Sequence, residues 1–459
     1  MREATIVIIG GGIAGVSCLE SLAILAPDVK VILISASPVV KTVTNLKHLT
    51  KMLAHFDVKE RDAQCLSDEY ESVSVIIDEV VRIDHGIKSV YTKSGIEVNY
   101  EKLCICTGAS PKVLSTNPRI LTIRDTDSVR KFQKYASNSK KMVVVGNGGI
   151  ATELVHEITG MEIVWAIKDK HISATFIDPG AAEFFQDRLK GTVEEQKDTV
   201  VKRMKYTVEG QEGSKGAALG PDWHTNVNLQ GLLDSRQVTV EYSCHVVQIK
   251  DGDDTWPVYV ELSNNKTVGC DFVVSAIGVH PNVNFLSNSE FDIAEDGGLK
   301  VNWKMETSQP DVYAAGDVCS TGWDLAPQWF QMRLWTQARQ MGMYVAKSMC
   351  CSIRNEELLQ DFCFELFTHV TTFFGMKVTL LGLFNGQTLD GKYEILLRVT
   401  KNKEYIKLIL KDGRMQGAVL IGDTDIEEMC ENLILNQLDL TVFGSELLNP
   451  DIDIDDYFD

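Results

Sequence analysis

Residues 7–17, "VIIGGGIAGVS", place small residues at Gly10-x-Gly12-x-x-Gly15. A short apolar run, "TIVIIG", precedes them. The following run, "IAGVSCLESLAILA", spaces its apolar residues at helical intervals. A turn in this setting holds a diphosphate. Gly10 permits the tight turn, Gly12 lets the backbone approach the ligand, and Gly15 lets helix and strand pack closely. The first helical residues, Ile13 and Ala14, bring free N–H groups and the positive end of the helix dipole. "VVVGNGGIATELV" repeats the arrangement as Gly146-x-Gly148-x-x-Ala151, with Gly149 and Ile150 opening its helix. Two such units imply two dinucleotides. A flavin and a nicotinamide are the economical pair, because the hydride of the nicotinamide needs an acceptor.

Two expected groups are missing. The strand "VILIS" ends in Ser35, where an acid for the adenosine ribose would stand. Ser35, Ser37 and Lys41 are the polar groups left to take those contacts. "IVWAIKDK" likewise ends in Ile167-Lys168. Lys168 and Lys170 either meet a 2′-phosphate or are solvated surface charges, so NADH and NADPH both stay open. The loop after the first unit contains no cysteine, and the chain has no CxxC among its 11 cysteines. Cys65 lies well past that loop and reads as an ordinary thiol. A disulphide reductase needs an attacking thiolate and a resolving partner. No Cys/His spacing predicts a metal site.

Further stretches resemble the two-dinucleotide flavoprotein reductases. "ICTGASPK" resembles the turn that covers the flavin, which marks Thr107 and Gly108. "VVSAIGVHPN" is similar to its paired turn, with Gly278. "TSQPDVYAAGDV" resembles the closing flavin motif, with Gly316 and with Asp317 implied to reach the ribityl or pyrophosphate part of FAD. Within that group the whole chain resembles the pyridine nucleotide-disulphide oxidoreductase domain-containing proteins of animals. The likeness includes "ASPVVKTVTN", "RDTDSV", "AIKDK", "ALGPDWH", "RLWTQARQMG" and "NPDIDIDDYFD". It implies FAD binding, NAD(P)H oxidation, a nuclear and cytoplasmic location, a role against oxidative damage, and protection of a tRNA-splicing ligase as protein partner. It also implies a helix starting near Trp329 whose N-terminus faces the flavin, with Trp329, Phe330 and Gln331 near the ring. A Lys47–Glu153 pair would sit beside the reacting edge, and Lys41 near the FAD phosphate or ribose. His369 has no acid five residues on, so it reads as structural rather than as part of a His-Glu dyad.

The elements that must hold these groups give an α/β fold: two Rossmann-like three-layer dinucleotide-binding domains and a small α+β C-terminal domain. The FAD domain is expected at 1–115 and 271–355, the NAD(P) domain at 116–270, and the C-terminal domain at 356–459. A charged insertion is expected at about 186–216, and "DIDIDDYFD" forms an acidic tail. The 459 residues are 44% apolar and 24% charged, with a net charge of −19, as expected of a soluble globular chain. That charge argues against direct nucleic-acid binding as the main role, though one local basic patch is not excluded. No run is apolar and long enough to span a membrane. A strand begins within four residues of Met1, which leaves no room for a signal peptide, and scattered cysteines fit a reducing compartment. Two functions compete: an FAD-dependent NAD(P)H oxidoreductase without its own dithiol, or a nicotinamide-sensing flavoprotein acting mainly as a binding partner.

Overall fold

A computed structural model describes residues 2–191, 229–286, 291–360, 362–390 and 393–449. Its first sheet is built on fully or largely apolar runs. Strands Val73–Ile77, Val31–Ser35, Arg2–Ile9 and Glu97–Ile105 run parallel in that order. Val312–Ala314 joins in parallel beside Glu97–Ile105. Every residue of Val31–Ser35 is buried, as expected of a parallel strand covered on both faces. The helix Ile13–Leu25 returns the chain from the first strand to the second. It packs on the helix Trp335–Arg354 so closely that a Cβ on Gly342 would lie 2.3 Å from the Ala14 carbonyl oxygen.

The second sheet is parallel throughout, in the order Ile120–Leu121, Phe272–Ser275, Lys141–Val145, Glu162–Ala166, Gln237–Glu241. The strand Phe272–Ser275 therefore belongs to this unit. The expected boundary at 271 is corrected accordingly: the apolar run "FVVS" pairs with Met142–Val145 and not with the first sheet. The C-terminal unit is a five-stranded antiparallel sheet in the order Thr368–Phe373, Met376–Gly382, Arg414–Ile421, Glu404–Lys411, Glu394–Thr400, with the helix Glu427–Asn436 on one face.

Two other expectations change. Where a loop is expected after the first unit, the chain forms a hairpin of Val39–His48 and Ala54–Asp62. The helix expected from about Trp329 begins only at Trp335. Before it the chain is pinned in an irregular path. Phe330 stacks on Phe367 with centroids 4.3 Å apart, and the Gln337 side chain accepts from the Met332 N–H and donates to the Phe330 carbonyl. Of the expected insertion, Gln186–Leu189 is a short helix, and 192–216 lies outside the described residues, as does the acidic tail. Among the described residues no helix is long and apolar enough to cross a membrane.

Candidate active site

Both glycine turns are built alike. Gly10 has φ +117°, and a Cβ there would lie 2.2 Å from the Cys106 carbonyl oxygen. Gly146 has φ +129°, and its Cβ would lie 2.1 Å from the Ala276 carbonyl oxygen. No side chain fits at either point, so each turn sits directly beneath the end of a neighbouring strand. The N-cap glycines differ from these. A Cβ on Gly12 or Gly148 would meet nothing within 4 Å. Neither N-cap is closed by a side chain, and neither helix has an acid in its first turn. Open space in front of uncapped N–H groups fits a diphosphate at each turn. Gly15 packs against the Gly10 carbonyl, and Ala151 is fully buried in the matching place. Trp165 fixes the second turn by donating from Nε1 to the Gly146 carbonyl at 2.7 Å.

The two crossover segments meet as a ribbon of Ala109–Pro111 and Val279–Pro281. Gly108 (φ +66°) and Gly278 (φ +97°) bend its two entries. Asn282 locks it: its Nδ2 donates to the Thr107 carbonyl and its backbone carbonyl accepts from Thr107 Oγ1, both at 2.8 Å. Ser110 Oγ donates to Asn282 Oδ1 and accepts from Arg124 Nη1. Arg124 and Asn282 had no assigned role in the sequence. Arg124 lies inside "RDTDSV", a stretch that carries resemblance but no local chemistry.

Gly316 (φ +81°) turns the closing segment toward Ala14. Asp317 follows, half-buried, and its carboxylate hydrogen-bonds none of the described residues. Burial pushes its carboxyl up to about 6, against the pull of Arg333 and Arg124. An acceptor with no donor among the described residues, attracted by Arg333 and Arg124 and following the Gly316 turn that meets Ala14, fits the hydroxyl-rich chain of FAD. Arg333 holds the segment from behind, donating from Nε to the Asp317 carbonyl at 2.9 Å.

Ser35 is buried and spends its hydroxyl on its own turn, donating to the Ser37 carbonyl and accepting from the Ser37 N–H. Lys41 is 3% exposed, and its backbone N–H donates to the Gly11 carbonyl. Its Nζ meets Glu60 Oε1 at 2.5 Å, and Thr126 Oγ1 donates to the same oxygen. Burial pulls the Lys41 ammonium down, and Glu60 holds it up. Lys47 is exposed on the hairpin and forms no ion pair with Glu153, which is buried in the second-unit helix. The expected Lys47–Glu153 pair is thus corrected. Lys47 lies in the exposed run 45–49 past the register shift that follows Thr44, and the buried lysine of this segment is Lys41, paired with Glu60.

At the second turn, Gly149 starts the helix and Ile150 is 37% exposed there. Lys168 and Lys170 are exposed. Asp169, passed over in the sequence and standing three residues beyond the strand end at Ala166, takes a hydrogen bond from Asn147 Nδ2 at 2.9 Å. Trp329 is buried among Trp323 and Phe364, and Gln331 hydrogen-bonds Cys319 and Thr321. His369 is buried, and desolvation pulls it down to about 3, so it is neutral. The eleven cysteines are all free. Cys104 and Cys106 lie 3.5 Å apart in the core, and their mutual hydrogen bond and burial push the Cys106 thiol well up. Burial also raises Cys65, against the pull of Arg61. Burial likewise raises Cys18, Cys244, Cys270, Cys319, Cys350 and Cys430, the opposite of what a reactive thiolate needs. Among the described residues no cluster could hold a metal ion.

A two-dinucleotide frame with this paired ribbon is matched by known proteins. The family model for pyridine nucleotide-disulphide oxidoreductases covers residues 4–219 and 224–342. The chain belongs to the pyridine nucleotide-disulphide oxidoreductase family. Residues 371–438 match the rubredoxin NAD+ reductase C-terminal domain. Pyridine nucleotide-disulfide oxidoreductase domain-containing protein 1 of Danio rerio is 50% identical, covering 100% of this chain and 98% of its own length. The Homo sapiens protein of that name is 48% identical, covering 99% and 97%. A solved structure of the putidaredoxin reductase–putidaredoxin complex shares the fold at 15% identity, with a TM-score of 0.69 over 97% of both chains. Family membership makes this protein an FAD-dependent pyridine nucleotide oxidoreductase.

Proposed function

We propose that the protein oxidises NAD(P)H through bound FAD and delivers the electrons to an acceptor outside its own chain. The observation that carries this is the pair of open, uncapped glycine turns combined with eleven free cysteines, among which Cys65 and the buried Cys104–Cys106 pair are pushed away from the thiolate form. FAD, when bound, supplies a two-electron acceptor for the nicotinamide hydride. The chain supplies the geometry. The first turn and Asp317 hold one dinucleotide. The second turn, with Asn147 tying Asp169 in place, holds the other. The Asn282-locked ribbon fixes the distance between the two units. The decisive experiment is anaerobic titration with NADH and with NADPH, followed by an acceptor panel of oxygen, quinones, protein centres and disulphides. Reduction of the flavin with turnover on a non-disulphide acceptor is expected. Rapid disulphide turnover abolished by Cys65→Ser would overturn the reading.

The alternative, a nicotinamide-sensing binding protein, is favoured if reduction yields a long-lived complex with slow turnover. The family resemblance supports a nuclear and cytoplasmic setting, a role in oxidative stress and a tRNA-splicing ligase as partner. Co-purification of that ligase, gained or lost with nicotinamide, tests the partnership.

A further inference from the structure

The chain carries a net charge of −19, yet residues 45–55, "NLKHLTKMLAH", contain no acid. They form the tip of the Val39–His48/Ala54–Asp62 hairpin. Lys47, His48, Lys51 and His55 are all exposed there, and none makes an ion pair with a described residue. Leu46 and Leu49 are 38% and 39% exposed among them. The tip is held rigidly, so the patch is a fixed surface. Thr50 Oγ1 donates to Glu431 on the helix Glu427–Asn436, the Met52 N–H reaches the same carboxylate, and Thr368 Oγ1 donates to the Met52 carbonyl at 3.3 Å. Glu431 is buried and Asp57 is engaged by Asn45, so neither offsets the exposed charge at the tip.

The last residues of the chain have the complementary composition. Residues 451–459 read "DIDIDDYFD", with five aspartates, two isoleucines, a tyrosine and a phenylalanine. The described chain ends at Asn449, where Arg398 Nη1 donates to the Leu448 carbonyl at 2.6 Å. That point lies against the edge strand Glu394–Thr400, which carries Arg398. The hairpin tip contacts the opposite edge strand, Thr368–Phe373, and both Leu53 and Leu447 belong to the apolar cluster on the helix-bearing face. Five strands span roughly 19 Å at about 4.8 Å per spacing. Ten extended residues reach about 33 Å.

We propose that the hairpin tip is a docking site for an acidic, partly apolar segment, and that its occupant is this chain's own residues 451–459. The aspartates meet Lys47 and Lys51, and the tail's apolar residues cover Leu46 and Leu49. Because the tip and the buried Lys41 share one hairpin, an occupied tip also ties the C-terminus to the strand beside the first glycine turn.

Carbodiimide crosslinking of the full chain, mapped by mass spectrometry, tests this independently of any flavin chemistry. Crosslinks from the tail aspartates to Lys47 and Lys51 are expected to dominate over those to Lys401 and Lys403, which lie nearer the chain's exit. Lys47→Glu should cut the Lys51–tail crosslink by about fivefold or more, and Lys47→Arg should leave it within about twofold. About 0.5 M salt should suppress it, since exposed charges are screened. Both variants change an exposed side chain, and circular dichroism checks that each is folded. Absence of tail crosslinks at the tip, or a Lys51 crosslink indifferent to Lys47→Glu, overturns the site. Crosslinks between isotopically distinct copies in a mixed sample overturn the own-chain occupant in favour of a second copy.

Discussion

Asp317 shows how binding and stability oppose each other at a single residue. Its carboxyl moves from an ordinary 3.8 to about 6 in the folded chain, because burial disfavours the charge and Arg333 and Arg124 compensate only in part. A raised carboxyl pKa means the folded state holds the proton more tightly than the unfolded one. The cost of ionising Asp317 is therefore absent below pH 3.8, grows up to about 6 and is complete above it. A shift of this size corresponds to at most about 3 kcal/mol. Asp317→Asn should raise the urea midpoint of the flavin-free protein at pH 7.5 and leave it nearly unchanged at about pH 4. The same substitution should weaken FAD binding by roughly tenfold or more in a fluorescence titration, since a hydrogen bond to a charged acceptor is lost. A stabler variant that still holds FAD as tightly would contradict the assignment. At the second turn, Lys168 is exposed beside Asp169, which Asn147 restrains. Lys168→Glu should lower kcat/KM for NADPH relative to NADH by about tenfold, by placing a like charge near the 2′-phosphate. An unchanged ratio would make Lys168 a plain surface charge.

At the scale of elements, legibility followed periodicity. The two strand–turn–helix units were readable because a glycine spacing and two apolar runs constrain the same short segment. The paired ribbon was readable through its Gly108 and Gly278 entries. The hairpin was not, because "VVKTVTNLKH" has too little alternation of polar and apolar residues to declare a strand, and its partner "AHFDVKERD" is mostly polar. What makes it a strand pair is tertiary: Lys41 N–H bonds the Gly11 carbonyl, and Lys41 Nζ finds Glu60 across the ladder. The late start of the Trp335–Arg354 helix has a similar cause. The resemblance implies a start near Trp329, but stacking of Phe330 on Phe367 holds the chain out of the helix there. The buried Lys41–Glu60 pair makes the hairpin base testable. Lys41→Met leaves Glu60 without its cation and should cost about 3–5 kcal/mol in urea unfolding, whereas adding Glu60→Gln should recover most of that loss. Additive losses in the double variant would show that the two residues act separately.

For the whole molecule, the question is what joins the nicotinamide unit to the C-terminal domain, since the last strand of one ends at Ser275 and the first strand of the other begins at Thr368. Asp178 caps the helix Pro179–Phe184, accepting from the Gly180 and Ala181 N–H groups. Its other partners come from the C-terminal sheet. Lys407 Nζ lies 2.7 Å from Oδ2, and the Tyr405 hydroxyl donates to Oδ1 at 2.9 Å. Lys407 is 3% exposed and also donates to Asn385. Burial pulls the Lys407 ammonium down and Asp178 holds it up. Nothing in the sequence pairs these residues: Asp178 reads as a helix cap and Lys407 as one polar residue in an apolar strand. Lys407→Met removes the cation and leaves Asp178 Oδ2 buried without a partner, while Oδ1 keeps Tyr405 and the cap N–H groups, at a cost of about 3 kcal/mol. That loss should be local. Hydrogen exchange should quicken in Pro179–Phe184 and Glu404–Lys411 while the first sheet stays protected, because the Asn282-locked ribbon and the Ile13–Leu25/Trp335–Arg354 packing do not pass through this contact. Asp178→Asn added to Lys407→Met should restore much of the protection, since an amide keeps the cap without a buried charge. Loss of protection spread evenly over all three units would instead make the pair part of a single cooperative core.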